Sequence, residues 1–373
     1  MKKLAIIGKG TAGALAVNYF SHYTDYEIDL YFDSSKKPQT VGEGSQFPLL
    51  SHLHDTLNLS WEESVNHLDG HIKKGIEYID WRKDFIHHFP MPYVALHFNS
   101  VKLQEYLIFK NRRNINFIDK NIEHKDIDSD FILDCSGTPK DFSEYETAEY
   151  IPVNSSLVRH YKWDKPQFDY TKAIARPHGW IFGIPLKNRV SYGYMFNRNI
   201  NSIEEVEDDF AAFEKDKKLR AFYEARIDFN NYYKTQNFTE RVAYNGNASF
   251  FLEPLEATSI DAIQKINNLT RLVQSNQMDV ETANNMYKEQ FKEYQEVITL
   301  HYFGGSKYKT PFWDYASDLG QNCMKEFKSL KYMLELSQLA RPYGSWGLWS
   351  FRENINGLDI KDKLMLLWMY EKD

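Results

Sequence analysis

The chain has 373 residues, of which 42% are hydrophobic and 26% charged, a globular balance that excludes fibrous repeats and extensive disorder. The net charge of −7 argues against a nucleic-acid partner, and the apolar run at residues 364–370 is far shorter than the ~20 residues of a membrane helix. The presence of only two cysteines, and the glycines that interrupt the N-terminal apolar run, predict a cytoplasmic protein with no membrane span and no signal peptide.

The N-terminal segment has the order strand, helix, strand. Residues 4–7 form a short apolar run that ends in glycines, and residues 12–20 have helical composition. Residues 26–32 then alternate toward Asp33, which predicts a second strand. Residues 34–48 are rich in Lys, Pro, Gly and Ser, and therefore predict an exposed irregular loop.

The middle of the chain predicts two helices followed by more strands. Residues 61–81 and 101–109 have mostly helical patterns, whereas residues 130–137 predict a buried strand that runs into a tight turn. Residues 153–196 are enriched in β-branched and aromatic side chains, and predict a second sheet.

Helices dominate the C-terminal half of the sequence. Ser202 and Glu205 have the spacing of a capping box, which predicts the start of a helix over residues 202–226. From Ser259 onward the pattern is helical. One buried helical face is predicted by Tyr287, Phe291, Tyr294, Ile298 and His301, which recur every three or four residues.

A glycine-rich turn joins the first predicted strand to the first predicted helix, as Gly8-Lys9-Gly10-Thr11-Ala12-Gly13. The first glycine permits a tight turn, the second lets the backbone approach a pyrophosphate, and the third allows close packing of helix and strand. Asp33 follows Gly13 by 20 residues (33 − 13), where a carboxylate binds the ribose hydroxyls. These features predict a dinucleotide site, but FAD and NAD share the pattern.

A second small-residue turn, Gly246-Asn247-Ala248, precedes another predicted helix. In flavoproteins with two dinucleotide-type folds, such a late turn approaches the flavin pyrophosphate and ribityl chain. An ordinary loop with a helix cap remains the alternative.

Five stretches carry a resemblance to a known family. They are, in order, G-K-G-T-A-G (8–13), V-G-E-G-S (41–45), G-W-I-F-G-I-P (179–185), F-L-E-P-L-E-A-T-S-I (251–260) and H-Y-F…T-P-F-W (301–313). Together they resemble flavin-dependent halogenases of the tryptophan halogenase family. The resemblance implies a mixed α/β fold with a Rossmann-like, two-dinucleotide FAD module similar to that of p-hydroxybenzoate hydroxylase. It places this module, with the second sheet, at residues 1–270 and a small, shortened helical substrate module at 271–373.

The resemblance also implies a chemistry. FADH2, supplied by a separate NAD(P)H flavin reductase, would react with O2 and a halide to give hypohalous acid. A lysine would pass the halogen to an electron-rich aromatic substrate such as an indole, a tryptophan-like compound or a phenol. The family lysine lies in a helix that ends at a tryptophan, and residues 70–81 match that stretch, which implies that Lys73 is catalytic. Glu256 matches the catalytic glutamate, with a helix-capping role as its alternative.

Further roles follow from the same resemblance. Thr258 and Ser259 correspond to the halide-binding positions, although Ala257 and Ser259 replace the family's serine and glycine and leave the halide preference open. A flexible strap over the flavin is implied for Gly42, Glu43, Gly44 and Ser45. The implied substrate wall consists of His87, Phe89, Trp180 and Phe182. The residues implied to contact the flavin cofactor are Gly8, Gly10, Thr11, Ala12, Gly13, Asp33, Gly246 and Asn247.

Several alternatives remain open at this point. A flavin monooxygenase that acts without halide, or a catalytically silent flavin-binding protein, would share much of the pattern. Tyr343, Trp346 and Trp349 could line the pocket or pack in the core. The shorter helical part suggests a more open pocket than in the family. No metal-ligand spacing occurs among the 12 histidines, and the sequence leaves a homodimer open.

Overall fold

The computed structural model describes residues 2–37, 41–90, 92–326 and 348–370. The strands are β1 Lys3–Ile7, β2 Glu27–Phe32, β3 His71–Lys73, β4 Gly75–Ile79, β5 Phe85–His88, β6 Ala95–His97, β7 Ile115–Asp119, β8 Phe131–Asp134, β9 Tyr145–Thr147, β10 Ser155–Lys162, β11 Thr171–Arg176, β12 Gly179–Pro185, β13 Arg189–Phe196, β14 Ala221–Asp228, β15 Tyr232–Lys234, β16 Val242–Tyr244 and β17 Phe250–Phe251. The helices are α1 Thr11–Tyr23, α2 Pro48–Leu57, α3 Trp61–His67, α4 Ser100–Asn111, α5 Ile203–Lys217, α6 Thr258–Gln274, α7 Val280–Gly304, α8 Pro311–Glu326, α9 Leu348–Gly357 and α10 Lys361–Tyr370.

The first of two compact units comprises Met1–Gly70, Ala95–Thr147 and Tyr232–Glu289. Its main sheet is parallel and has the strand order β16-β8-β1-β2-β7. Strand β1 is an apolar run buried on both faces, as parallel strands covered by helices are. Helix α1 packs against α4 and α6, which explains why residues 12–20 are all buried. This is the Rossmann-type sheet that the N-terminal pattern predicts, and it confirms the predicted mixed α/β class.

The second unit comprises His71–Val94, Ala148–Asn231 and Gln290–Asp373. Its sheet has the order β14-β10-β13-β12-β11-β4-β5, in which the β11–β4 pair is parallel and the others are antiparallel. Aromatic side chains of β13 pack against Val206, Phe210 and Phe213 of α5. Residues 153–196 therefore form the second sheet that their composition predicts.

Two helical features predicted from the sequence are the start of a helix at Ser202 and the buried face of α7. Ser202 caps α5, with its side chain and that of Glu205 making both bonds of the capping box. The predicted helix over 202–226 is wrong beyond Lys217, because residues 221–228 pair with β10 as strand β14. The predicted helical face of α7 is confirmed, since Tyr287, Phe291, Tyr294, Ile298 and His301 are all buried.

The helix predicted over residues 61–81 is also wrong in its second half. Helix α3 ends at His67, and residues 71–79 form β3 and β4 instead. Gly75 has φ +156, and a β-carbon there would lie 2.1 Å from the His87 carbonyl oxygen, so the chain must be extended and close to β5. Strand β4 is then fixed by its pairing with β5 and β11.

The predicted functional division at residue 270 lies inside helix α6, and it remains a prediction. Within the parts of the chain that the structure describes, no helix combines the length and the apolar composition that a membrane crossing requires.

Candidate active site

The glycine-rich turn between β1 and α1 forms a shallow backbone cradle. Gly8 has φ +99, and a β-carbon there would stand 2.3 Å from the Cys135 carbonyl oxygen. A β-carbon on Gly13 would meet the Gly8 oxygen at 1.9 Å, so the helix can pack on the turn only without a side chain. Gly10 by contrast faces open space, with no atom within 4 Å of an added β-carbon. The three glycines thus have the three geometric properties that a pyrophosphate site requires.

The N-terminus of α1 offers hydrogen-bond donors to this space. Gly10 is the N-cap and provides no side-chain bond, so no cap side chain covers the first N–H groups of the helix. The Thr11 hydroxyl accepts a hydrogen bond from Gln104 at 3.0 Å. The backbone N–H groups of the first helical turn and the positive end of the helix dipole favour a phosphate at this position.

The second small-residue turn, Gly246–Ala248, lies against the first. Gly246 has φ +57, and a β-carbon there would come within 2.6 Å of the Ala12 Cβ. The Asn245 side chain accepts from the Gly246 N–H and donates to Ile263 and Asn267 of α6. The structure therefore brings both small-residue turns to the start of α1, and their residues fit a bound dinucleotide.

Asp33 directly follows β2 at the carboxyl edge of the parallel sheet. Its Oδ1 accepts from the Ser35 hydroxyl and the Ser35 N–H, at 2.6 and 3.0 Å. These hydrogen bonds lower the pKa of the Asp33 carboxyl, which is therefore ionised at neutral pH. A half-buried carboxylate at this edge can accept hydrogen bonds from ribose hydroxyls.

The segment around Gly42–Ser45 is held by hydrogen bonds to residues 96–98. The Phe98 N–H donates to the Glu43 carbonyl at 2.9 Å, and Ser45 donates to the Leu96 carbonyl through both its N–H and its hydroxyl. Gly42 lies outside these bonds, with φ +85 and open space where a side chain would be. The strap implied by the family resemblance remains a prediction, and these hydrogen bonds hold its residues Glu43–Ser45 in place.

Glu256 lies in the turn that precedes α6, and its side chain is 3% exposed. The Gln46 side chain donates to the backbone carbonyl of Glu256 at 3.0 Å, and Ala257 lies near Gly44. Ala257 is the N-cap of α6 in a left-handed conformation, with φ 50, and makes no side-chain cap bond. The strap, Gln46 and the Glu256 turn form one connected substructure.

The two predicted halide positions differ in exposure. Thr258, the first residue of α6, is fully buried, and its hydroxyl has no hydrogen-bond partner within the described parts of the chain. Ser259 is exposed. A buried hydroxyl without a partner costs free energy unless a ligand or water completes it. Thr258 is therefore the stronger candidate for an anion contact at this helix start.

Lys73 lies at the end of strand β3, where the family resemblance implied a helix. Its side chain is 1% exposed, and its Nζ lies over the Phe89 ring at 5.5 Å from the centroid. Lys74 is half-exposed and forms an ion pair with Asp169. Successive side chains of an extended chain point in opposite directions, which explains why Lys73 is buried while its neighbour Lys74 is exposed.

His87 and Phe89 lie at and just after β5. The two rings meet edge to face with centroids 6.0 Å apart, so Phe89 contacts both the His87 ring and the Lys73 ammonium. The His87 Nε2 lies 3.2 Å from the Ser350 hydroxyl of α9. Sequence reasoning missed Ser350, because no spacing pattern connects it to His87.

Trp180 and Phe182 lie in β12. The Trp180 indole N–H donates to the Tyr302 hydroxyl of α7 at 2.8 Å, and its ring is 1% exposed. The Phe182 ring, which replaces the family's second tryptophan, lies directly over Gly193, where a β-carbon would stand 2.1 Å from a ring atom. Glycine at 193 therefore provides the space in which Phe182 packs.

The structure groups the predicted residues by unit. The first unit contains those implied for flavin, strap and halide together with Glu256, and the second contains Lys73, His87, Phe89, Trp180 and Phe182. Tyr343 and Trp346 lie outside the described residues, and for Trp349 only the backbone, in α9, is described. In the described ranges, no three His, Cys, Asp or Glu side chains are arranged to hold a metal ion.

Comparison with known proteins identifies the family. A family model described as tryptophan halogenase matches residues 3–122 and 111–339, which together cover most of the sequence. The chain belongs to the tryptophan halogenase family.

Curated relatives of this tryptophan halogenase family member match half of the chain. Tryptophan 6-halogenase SttH from Streptomyces toxytricini is 26% identical over 215 residues, which cover 51% of this chain and 39% of the relative. Tryptophan 7-halogenase RebH from Lentzea aerocolonigenes is 24% identical over 203 residues, which cover 50% of this chain and 38% of that relative. The matched part thus spans less than two fifths of the length of these relatives.

Solved structures share the fold over nearly the whole chain. Xcc4156, a flavin-dependent halogenase from Xanthomonas campestris, superposes with a TM-score of 0.82 at 19% identity, over 96% of this chain and 89% of that one. A tryptophan halogenase from Shewanella frigidimarina superposes with a TM-score of 0.80 at 17% identity, over 99% of this chain and 92% of that one. At such identities the likeness establishes the fold.

Proposed function

We propose that this protein is an FADH2-dependent halogenase that transfers a halogen to an electron-rich aromatic substrate. The observation that carries the proposal is the burial of Lys73, which is 1% exposed. Lysine is almost never fully buried in proteins without a specific reason. In a member of this family, a buried lysine at the matching position is the group expected to hold hypohalous acid.

Reduced FAD, when bound, would supply two electrons to O2, so that one oxygen atom oxidises the halide to hypohalous acid and the other leaves as water. The chain's own residues provide the binding surface. The Gly8–Gly13 turn would hold the pyrophosphate, Gly246–Asn247 would line the ribityl chain beside it, and Asp33 would hold the ribose. Thr258, with the N-terminus of α6, would hold the halide. The support for these roles is the open space at Gly10 and the Thr258 hydroxyl, which has no hydrogen-bond partner among the described residues.

Lys73 would orient the hypohalous acid by donating a hydrogen bond from its ammonium group to the oxygen. The aromatic carbon forms a bond to the halogen while the halogen–oxygen bond breaks, and the departing hydroxide takes a proton from Lys73 to become water. The ring then loses its proton to the Glu256 carboxylate, which restores aromaticity. The net reaction converts one aromatic C–H and one hypohalous acid into one C–halogen bond and water.

The substrate class follows from the chemistry and from the second unit. An electrophilic halogen requires an electron-rich carbon, as in an indole, a tryptophan-like compound or a phenol. The Phe89 ring lies next to the Lys73 Nζ and meets the His87 ring edge to face, and two such rings suit a flat substrate. A separate NAD(P)H flavin reductase would supply the reduced flavin.

The test uses the purified protein with FAD, a flavin reductase and NADH, and offers indoles and phenols with chloride, bromide or iodide. Mass spectrometry measures halogenated product. Lys73→Ala should lose at least about a hundredfold in product formation, as expected when a positioned acid–base group is removed. Lys74→Ala is the matched control, since Lys74 is the exposed neighbour in the Asp169 ion pair.

The outcomes separate the candidate functions. Halide-dependent product that requires Lys73 but not Lys74 supports the proposal. An oxygenated product without halide indicates a flavin monooxygenase. Product that survives Lys73→Ala with its regioselectivity intact removes Lys73 from the reaction, and the absence of any FAD binding overturns the flavin proposal as a whole.

A further inference from the structure

Three consecutive backbone carbonyls, two in the second small-residue turn and one directly after it, accept hydrogen bonds from tyrosine hydroxyls. Tyr232 donates to the Asn247 carbonyl at 2.8 Å, Tyr145 to the Ala248 carbonyl at 2.7 Å, and Tyr287 to the Ser249 carbonyl at 3.1 Å. We call these three side chains, Tyr145, Tyr232 and Tyr287, the tyrosine clamp. They come from β9, β15 and α7, so distant parts of the first unit converge on one turn.

The clamp side chains are themselves fixed by packing. The Tyr145 and Tyr232 rings meet edge to face at 5.4 Å, and Phe142 lies against both. The Lys234 ammonium lies 4.6 Å from the centre of the Tyr145 ring, while the Lys234 N–H donates to the Tyr287 hydroxyl at 3.1 Å. Contacts of this kind restrict the position of each side chain and therefore of its hydroxyl oxygen.

The hydroxyls remain donors over a wide pH range. Burial raises the pKa of Tyr232 to about 12, and burial likewise raises the pKa of Tyr145 and of Tyr287. All three phenols are therefore protonated at neutral pH, and each keeps the proton that its hydrogen bond requires. The clamp consequently acts as a constant restraint on the turn.

The turn closes without the clamp. The Gly246 N–H donates to the Asn245 side chain at 2.7 Å, and the Ser249 N–H donates to the Gly246 carbonyl at 2.8 Å. What the clamp adds is the orientation of the peptide planes. Since a peptide unit is planar, fixing the direction of its carbonyl also fixes the direction of the N–H on its opposite side.

We propose that the tyrosine clamp positions the Gly246–Ala248 turn for the flavin dinucleotide, so that Tyr145 and Tyr232 are positioning residues for cofactor binding. The proposal rests on the flavin site proposed above. Gly246 packs on Ala12 at the start of α1, and any tilt of the clamped peptides would change the surface next to the pyrophosphate cradle. The tyrosines act through the turn and need not touch the cofactor.

The experiment measures FAD and ADP binding to the full-length apoprotein by titration calorimetry, together with the visible absorption bands of bound FAD. The variants are Tyr145→Phe, Tyr232→Phe and the double variant. Tyr233→Phe is the matched control, because Tyr233 neighbours Tyr232 in β15 but donates to Glu146. Thermal unfolding of each apoprotein monitors the fold.

We expect FAD binding to weaken about fivefold in each single variant and about twentyfold in the double variant, as for the loss of one and two hydrogen bonds. ADP, which occupies only the first cradle, should bind within about threefold of the wild type, given that this range is smaller than one hydrogen bond is worth. The flavin bands should shift in the clamp variants and not in Tyr233→Phe.

Three results would overturn the clamp. They are unchanged FAD affinity in the double variant, an equal loss of FAD and ADP affinity that indicates general damage, and the same loss in Tyr233→Phe. If the wild type binds no FAD, the proposed function fails and the clamp fails with it. If the wild type binds FAD and the variants bind it equally well, only the clamp is wrong.

Discussion

Gly246 packs against Ala12 so closely that a β-carbon on Gly246 would stand 2.6 Å from the Ala12 Cβ. The two residues belong to turns more than 230 positions apart in sequence (246 − 12), yet each needs the other to be small. Gly10, two residues before Ala12 (12 − 10), shows the opposite property, because its β-carbon position is open space. This contrast separates glycines required for packing from one required for ligand approach.

Gly246→Ala and Gly10→Ala should therefore lose flavin binding for different reasons. Gly246→Ala should destabilise the protein by about 2 kcal/mol or more, from the left-handed backbone and the contact with Ala12. Gly10→Ala should cost at most about 1 kcal/mol, since it only exchanges the N-cap residue. Its FAD affinity should nevertheless fall about tenfold or more, as one lost close contact to a charged group predicts. Chemical denaturation and FAD titration measure both, and wild-type affinity in Gly10→Ala would refute the cradle.

Thr258→Val should weaken halide use without weakening the fold. The buried Thr258 hydroxyl has no partner in the described chain, so its removal loses no internal hydrogen bond. The KM for bromide or chloride should rise about fivefold, as for one lost hydrogen bond, at an unchanged or higher melting temperature. Thr270→Val on the same helix is the control, because the Thr270 hydroxyl bonds to the Ile266 carbonyl. That variant should lose stability and keep its halide KM; the reverse pattern would exclude Thr258 from the halide site.

Ser350→Ala should affect the aromatic substrate through His87. The Ser350 hydroxyl lies 3.2 Å from the His87 Nε2, and its loss removes one contact that orients the ring. We expect the substrate KM to rise about fivefold with a smaller change in kcat, as for one lost hydrogen bond. Ser350→Thr, which retains the hydroxyl, should restore the KM. Identical kinetic constants in wild type and Ser350→Ala would show that His87 is oriented by other contacts.

His52 should make the stability of the protein fall in mild acid. Burial lowers the pKa of His52 to about 4, while its Nε2 lies 3.0 Å from the Asn18 side-chain nitrogen. Between pH 6.5 and about 4 the His52 side chain binds a proton in the unfolded chain but not in the folded chain. The free energy of unfolding therefore decreases as the pH falls. The loss from this one group is up to about 3 kcal/mol.

Urea denaturation of wild type and His52→Gln between pH 7.5 and 4.5 tests this expectation. The glutamine keeps a hydrogen-bonding side chain but cannot titrate, so its stability should depend less steeply on pH. A residual slope is expected, because the buried His160 also has a pKa lowered to about 4. Equal slopes in the two proteins would contradict the role given to His52.

Sequence patterns predicted the elements that depend on local signals. Strand β1, helix α1 and strand β2 follow from an apolar run, a glycine turn and an alternation toward Asp33, all within the first 33 residues. The helix predicted through residue 81 failed because Trp61, Val65, Leu68 and Ile72 imitate helical spacing. Their continuation is decided instead by pairing with residues 85–88 and 171–174, which no local window contains.

The residues of the candidate site likewise divide into those that local sequence patterns predict and those that only long-range contacts reveal. The glycines, Lys73 and Glu256 could be proposed from motifs, because their spacing is local. Ser350 and the tyrosine clamp could not, since each acts across a large sequence distance. The clamp is also hidden for a chemical reason, because its acceptors are backbone carbonyls, which every residue has. Gln46 directly follows the V-G-E-G-S stretch, and a motif extended by one residue would have included it.

The hydrogen bond from Gln46 to the Glu256 carbonyl has a consequence for engineering. Residues 43–46 and the turn before α6 share this bond and the approach of Gly44 to Ala257, so they behave as one cassette although they are far apart in the gene. A chimera that imports only one of the two segments from a relative would place a foreign partner at the bond. Transplants between family members should therefore exchange both segments together.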